Sequence, residues 1–230
     1  MKKVKFPVVM TALAVLGFVL RRLVYMTAVD GKNLIVSGHP VLIALWVLTA
    51  AALALAAFSG WKQKASGLSF AAHGPAFLGH SLLGAGIALT VLLNPLPMPG
   101  VLGLLWKVFG IVSAVCLLMA GFDRMRGKKP FFALYAPVCL FFAVHVVVHY
   151  QIWCSNPQFT DYAFALLASV ALSLHSYQLA AFSAEMGEKK MLVCTALAAV
   201  YLCGAEMALS VYPYLYLGGI LFVLTGLLKE

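Results

Sequence analysis

Eight long apolar stretches, separated by short polar or proline-containing segments, occupy most of this chain. A helix of roughly 20 apolar residues spans the hydrocarbon core of a bilayer. Hydrophobic residues make up 63% of the sequence and charged residues 10%, whereas a soluble domain is about half apolar and about one quarter charged. A water-soluble fold would therefore leave too much apolar surface uncovered. The sequence predicts an all-α integral membrane protein.

The apolar stretches predict a bundle of eight transmembrane helices in a single polytopic domain that covers residues 1–230, with no soluble domain. The last stretch is short and contains glycine, and if it does not span the bilayer the count becomes seven. Pro137 lies inside the fifth stretch, where the missing backbone donor predicts a kink. The predicted spans are Phe6–Leu20, Pro40–Phe58, Phe70–Leu93, Gly100–Phe122, Phe131–Trp153, Tyr162–Ala184, Met191–Val211 and Tyr214–Leu228.

The basic residues orient this bundle. With the N-terminus inside, the inner segments hold twelve of the sixteen Lys and Arg residues, and the outer segments hold Arg21, Arg22 and Lys32. Cytoplasmic loops carry such an excess of positive charge. We therefore predict an integral protein of a prokaryotic plasma membrane with both termini in the cytoplasm.

The formal net charge of +9 also bears on possible partners. Its basic residues are scattered in small groups between the apolar stretches and form no basic face on a soluble domain, so we expect no nucleic-acid binding. The expected partners are the lipid bilayer, a small-molecule or ion ligand, and a second copy or a partner membrane subunit.

Two charged residues inside the predicted spans are candidates for function, because an ionisable group is costly within a membrane. At 1.5 Å per residue, Lys107 lies about 10 Å below the outer boundary of the fourth span. Glu206 lies at a similar depth in the seventh span. Their matching levels predict an ion pair, which either binds a substrate or ion or fixes helix packing. Alternatively, Lys107 extends its amine to the outer interface by itself.

Histidines form the second candidate set. His145 and His149 are four residues apart and share one face of the fifth span, while His80 and His175 lie near the middle of the third and sixth spans. Three interpretations stay open: hydrogen bonding between helices, a proton or substrate pathway, and a bound zinc or haem held by His145 and His149 with further ligands. We expect no cofactor, with zinc or haem as the alternatives.

A set of five residues is similar to the metal-binding pattern of membrane zinc hydrolases of the ceramidase and adiponectin-receptor type. The set is Ser69, His73, Asp123, His145 and His149. The predicted topology puts the first three at the inner side and the two histidines at the outer side. One zinc ion would not join them, so we expect no such enzyme.

Arg22 is the last candidate, because an arginine at the outer side suits the recognition of a carboxylate or phosphate. Most unusual polar residues thus belong to the outer half of the bundle. The sequence favours a small-molecule or ion transporter, or a substrate-binding membrane subunit, with a polar cavity there. A membrane-embedded metal- or haem-binding enzyme is one alternative. A sensor, immunity or assembly subunit that acts through a partner is the other.

Overall fold

A computed structural model describes residues 5–29, 35–36, 38–63, 73–93, 100–154 and 159–227. These residues form eight α-helices, one for each predicted span, and one turn of 3-10 helix at Phe132–Leu134 before the fifth. The all-helical prediction is confirmed. The helices are α1 Lys5–Thr27, α2 Pro40–Trp61, α3 Gly74–Leu92, α4 Gly100–Met125, α5 Ala136–Trp153, α6 Phe159–Ser183, α7 Lys189–Glu206 and α8 Pro213–Leu227.

Two predicted features of these helices are wrong. Pro137 does not kink the fifth helix, because α5 begins at Ala136 and Pro137 occupies its first turn. A backbone N–H has no partner within the helix at that position, so proline costs nothing there. Helix α1 also continues seven residues beyond its predicted end at Leu20, and Arg21 and Arg22 are helical.

Two parts of the predicted spans lie outside the described residues. They are residues 70–72, at the start of the third span, and Leu228, at the end of the eighth.

Helix α7 packs against α1, α2, α6 and α8. Thirteen of its eighteen residues are buried, so its neighbours cover most of its surface. Helix α3 packs between α4 and α8, and α5 packs between α4 and α6. The contacts therefore run around a ring of α3, α4, α5, α6, α7 and α8, and α1 and α2 pack against α7.

The helices alternate in direction, which gives the bundle two ends. Contacts between Arg21 and Glu206 and between Gly86 and the Tyr214 backbone join residues of one end, which we call the Glu206 end. At the other end the His73 amide donates to the Arg124 carbonyl at 3.2 Å, and we call it the Arg124 end. The C-terminal ends of α1, α3, α5 and α7 lie at the Glu206 end.

A connection at the Arg124 end carries an exposed ion pair. The Lys129 amine donates to the Glu185 carboxylate at 2.7 Å, and this hydrogen bond lowers the pKa of Glu185. Water screens the pair, so it contributes little stability.

Six helices in the described part of the chain, α1 to α6, are long and apolar enough to cross a membrane. Their outward faces are apolar, and α4 exposes Val101, Leu104, Val108 and Ile111. Helix α8 is apolar but has fifteen residues. Helix α7 carries Lys189, Lys190 and Glu206 and is enclosed by its neighbours. Length and composition indicate a polytopic membrane protein with six candidate spans.

Helices α3 and α8 touch through their backbones. A Cβ atom added to Gly218 would lie 2.8 Å from the Leu82 carbonyl oxygen, and one added to Gly86 would lie 2.8 Å from the Tyr214 carbonyl oxygen. Real Cβ atoms essentially never come closer than 3.0 Å to such atoms. Small residues permit this approach, on which helix association in a membrane depends.

We expect Gly218→Ala to force α3 and α8 apart and to lower the free energy of unfolding by about 1–3 kcal/mol, the usual cost of overpacking. Thermal unfolding in detergent measures the change. Gly226→Ala on the same helix is the matched control, since no heavy atom lies within 4 Å of its added Cβ. Equal losses in the two variants would contradict the close-contact explanation.

Candidate functional site

A buried ion pair joins α1, nearly two turns before its end at Thr27, to the last residue of α7. The Arg21 guanidinium donates to the Glu206 carboxylate, and the two residues are 3% and 5% exposed. The same guanidinium nitrogen lies 3.4 Å from the Ala205 carbonyl oxygen, and the guanidinium carbon lies 4.8 Å from the centre of the Phe164 ring. One arginine therefore connects α1, α7 and α6.

The predicted pair between Lys107 and Glu206 is wrong. Lys107 is exposed on α4, and no hydrogen bond or ion pair between described residues joins it to Glu206. The pair was assigned wrongly because α1 was predicted to end at Leu20, which placed Arg21 in a loop. The apolar run Leu23, Val24 and Tyr25 after the two arginines is the signal that the helix continues.

Arg22 lines an open cleft beside this ion pair. The cleft has a volume of about 440 Å³ and is also lined by Tyr25, Ala208, Leu209 and Ser210. One guanidinium nitrogen of Arg22 donates to the Ala208 carbonyl oxygen at 3.3 Å. Arginine has five N–H donors, so this contact leaves donors for a ligand. Arg21 and Arg22 also place positive charge at the C-terminal end of α7, where the helix dipole favours it.

His145 and His149 lie within a group of aromatic rings at the Glu206 end. Their ring centres are 3.9 Å apart, and the Trp106 ring centre lies 6.0 Å from each of them. Tyr212 approaches His149 edge-on at 5.5 Å. Trp106, His145 and His149 are buried, so their polar nitrogens depend on partners within the bundle.

Hydrogen bonds assign the protons of the two imidazoles. The Trp106 indole N–H donates to His145 Nδ1 at 3.1 Å, and because indole only donates, the ring proton of neutral His145 is on Nε2. His149 Nδ1 lies 2.9 Å from the His145 carbonyl oxygen, which only accepts, so this nitrogen carries the proton of His149. His145 Nε2 has no hydrogen-bond partner among the described residues.

These assignments bear on the zinc and haem alternatives. A metal ligand must offer a lone pair, and in this arrangement the free nitrogen of His145 presents a proton. The two histidines therefore do not form a two-nitrogen chelate as they stand. In the described ranges, no group of three or more His, Cys, Asp or Glu side chains could hold a metal ion.

A second polar group surrounds an enclosed cavity toward the Arg124 end. The cavity measures about 20 Å³, and its lining includes His80, Arg124, Tyr135 and His175. His80 Nδ1 lies 2.6 Å from the Ala76 carbonyl oxygen, so this nitrogen carries the proton. His80 Nε2 then accepts from the Tyr135 hydroxyl at 3.1 Å.

Six of the seven predicted site residues form three pairs at different places in the bundle, and the seventh lies apart from them. Arg22 and Glu206 lie at the joined ends of α1 and α7. His145 and His149 lie among the aromatic rings, and His80 and His175 share the cavity. Lys107 stands apart from all of them on α4.

The zinc-hydrolase pattern is separated as the sequence predicts. His73 precedes α3 and Asp123 is in the last turn of α4, both at the Arg124 end, whereas His145 and His149 are near the Glu206 end. Ser69 lies outside the described residues. No family model, curated protein or solved structure matches the chain.

Four residues of these sites were not predicted from the sequence: Arg21, Trp106, Arg124 and Tyr135. Trp106 and Tyr135 resemble ordinary membrane aromatics until a histidine partner is known. Arg124 resembles one of many loop cations, because its burial follows from α4 continuing to Met125. Pairing across helices, which periodicity does not encode, makes these residues part of the sites.

We predict strong coupling between Arg21 and Glu206 in a double-mutant cycle. Arg21→Met or Glu206→Gln alone should lower the free energy of unfolding by about 3–5 kcal/mol, because the first leaves a buried charge and the second breaks its pair. The double variant should lose much less than the sum. Lys107→Met with Glu206→Gln is the matched control and should be additive. Additivity in the Arg21 cycle would show that the ion pair does not contribute.

We also predict that Trp106→Phe destabilises the fold by about 1–3 kcal/mol, because His145 Nδ1 becomes a buried acceptor without a donor. Adding His145→Phe should recover part of the loss, since both partners are then apolar. Trp46→Phe is the control: Trp46 stacks on Phe164 at 5.4 Å. If Trp106→Phe and Trp46→Phe have the same effect, the indole hydrogen bond does not explain the loss.

Proposed function

We propose that this chain is a small eight-span membrane transporter or substrate-binding membrane subunit that binds a small anionic solute in the Arg22 cleft. The observation that carries the proposal is the open cleft of about 440 Å³ at the Glu206 end, lined by Arg22. Arginine recognises carboxylate and phosphate groups with paired donors.

The neighbouring ion pair supports an anionic ligand. Arg21 offsets the charge of Glu206, so among the described residues that line the cleft the charged side chain is that of Arg22. A cation would be repelled by this guanidinium, whereas an anion would be attracted. Ser210 supplies a hydroxyl to the same cleft, and Tyr25 supplies a phenol ring.

The proposal includes eight crossings. Helix α7 has eighteen residues and is about 27 Å long at 1.5 Å per residue, close to the hydrocarbon thickness of a bilayer. It packs against α6 and α8, whose connections with it are short. Helix α8 is shorter, and its close contact with α3 supports its place in the membrane.

The orientation proposed is cytoplasmic for the Arg124 end and for both termini, in a prokaryotic plasma membrane. Lys62, Arg126, Lys128 and Lys129 lie in connections at this end, and Lys189 and Lys190 begin α7 there. The positive-inside rule assigns such an end to the cytoplasm. The Arg22 cleft then faces outward.

Binding can be tested without knowing the solute. Purified protein is heated with small carboxylates and phosphates, and with sodium chloride at matched ionic strength. We expect at least one oxyanion to raise the unfolding temperature saturably, since a ligand at 100 times its Kd stabilises by about 2.7 kcal/mol. Arg22→Gln should abolish the effect, and Arg22→Lys should weaken it.

Lys107→Gln is the control for general charge and should retain the stabilisation, because Lys107 is exposed on α4 away from the cleft. Uptake of the stabilising anion into proteoliposomes then separates transport from binding alone. The proposal fails if no oxyanion exceeds sodium chloride, or if Arg22→Gln responds like the wild type.

A further inference from the structure

Helix α6 carries three buried polar groups whose hydrogen-bonding capacity is unused. His175 Nδ1, Ser176 Oγ and Ser183 Oγ have no hydrogen-bond partner among the described residues. The three residues are 3%, 0% and 7% exposed. Buried polar atoms are nearly always bonded to protein or to ordered water, so these atoms point to a ligand between the helices.

A cavity lies beside one of these groups, the imidazole of His175. His175 and Leu179 from α6 line the cavity, together with Tyr135, Phe222 and Arg124 from other elements. Its volume is about 20 Å³, and a site of roughly 10–15 Å³ or more holds one water molecule. The ligand must therefore be about the size of a single water.

The chemistry of the lining selects a neutral hydrogen-bonding ligand. His175 Nδ1 is buried without a partner among the described residues, whereas His80 Nε2 is already used by the Tyr135 hydroxyl. A cation would meet the Arg124 guanidinium in the lining. Water suits both neighbours, since it accepts from a guanidinium and can either donate to or accept from an imidazole nitrogen.

We infer that this cavity binds an ordered water molecule that forms a hydrogen bond with His175 Nδ1. The site is separate from the Arg22 cleft at the Glu206 end. It stands or falls independently of anion binding there.

Hydroxyl-radical footprinting with mass spectrometry tests the inference on the whole protein in nanodiscs, because bound water generates radicals next to it. Phe222 reports on the cavity, and its ring centre lies 5.5 Å from that of His175. Phe141 is the matched dry reporter, since both phenylalanines are buried to 1% exposure or less. We expect Phe222 to be modified several-fold faster than Phe141.

Variants identify the side chain that holds the water. His175→Leu should reduce the Phe222 rate to that of Phe141, whereas His175→Gln retains a hydrogen-bonding group and should keep most of the labelling. If His175→Leu does not fold, the comparison of Phe222 with Phe141 in the wild type still decides the inference. Equal rates for Phe222 and Phe141 in the wild type would overturn the inference, as would unchanged Phe222 labelling in a folded His175→Leu protein.

Discussion

The ion pair between Arg21 and Glu206 is the interaction on which the arrangement of this bundle depends. It fixes α1 against the C-terminal end of α7, and α7 in turn packs against α2, α6 and α8. Two charges in a medium of low dielectric stabilise a structure only when they meet each other. Because either charge alone would be costly, the pair specifies the register of α1 on α7 and, through Phe164, the position of α6.

Around this centre, polarity is divided between the two ends of the molecule. The Glu206 end has an open cleft with Arg22 and a buried group in which Trp106 controls the proton of His145. Toward the Arg124 end, His80 and His175 line a cavity of about 20 Å³. An open cleft and a cavity the size of one water molecule are suited to different ligands, which is why the two proposals concern an anion and a water molecule.

Sequence patterns predicted the helices well and their partners poorly. Each of the eight apolar stretches is a helix, because the periodicity and length of such stretches depend on neighbouring residues alone. The partner of Glu206 depended on where α1 ends. Because α1 was predicted to end seven residues too early, Lys107 was taken as the partner in place of Arg21. Likewise, Pro137 was expected to kink a helix that begins next to it. The position of a residue along its span correctly indicated the end of the bundle at which it lies. Which neighbouring helix its side chain contacts could be seen only in the packed structure.

Arg21 and Arg22 are consecutive residues that turn in different directions, one into the bundle and one into the cleft. Both belong to the same turn of a single helix, so a force on one side chain acts on the backbone of the other. A ligand that draws Arg22 toward the cleft must either leave the geometry at Glu206 unchanged or alter it. In the second case cleft occupancy and the packing of α7 are thermodynamically linked, and the linkage is reciprocal. Two adjacent arginines would then couple the occupancy of the cleft to the packing of the core.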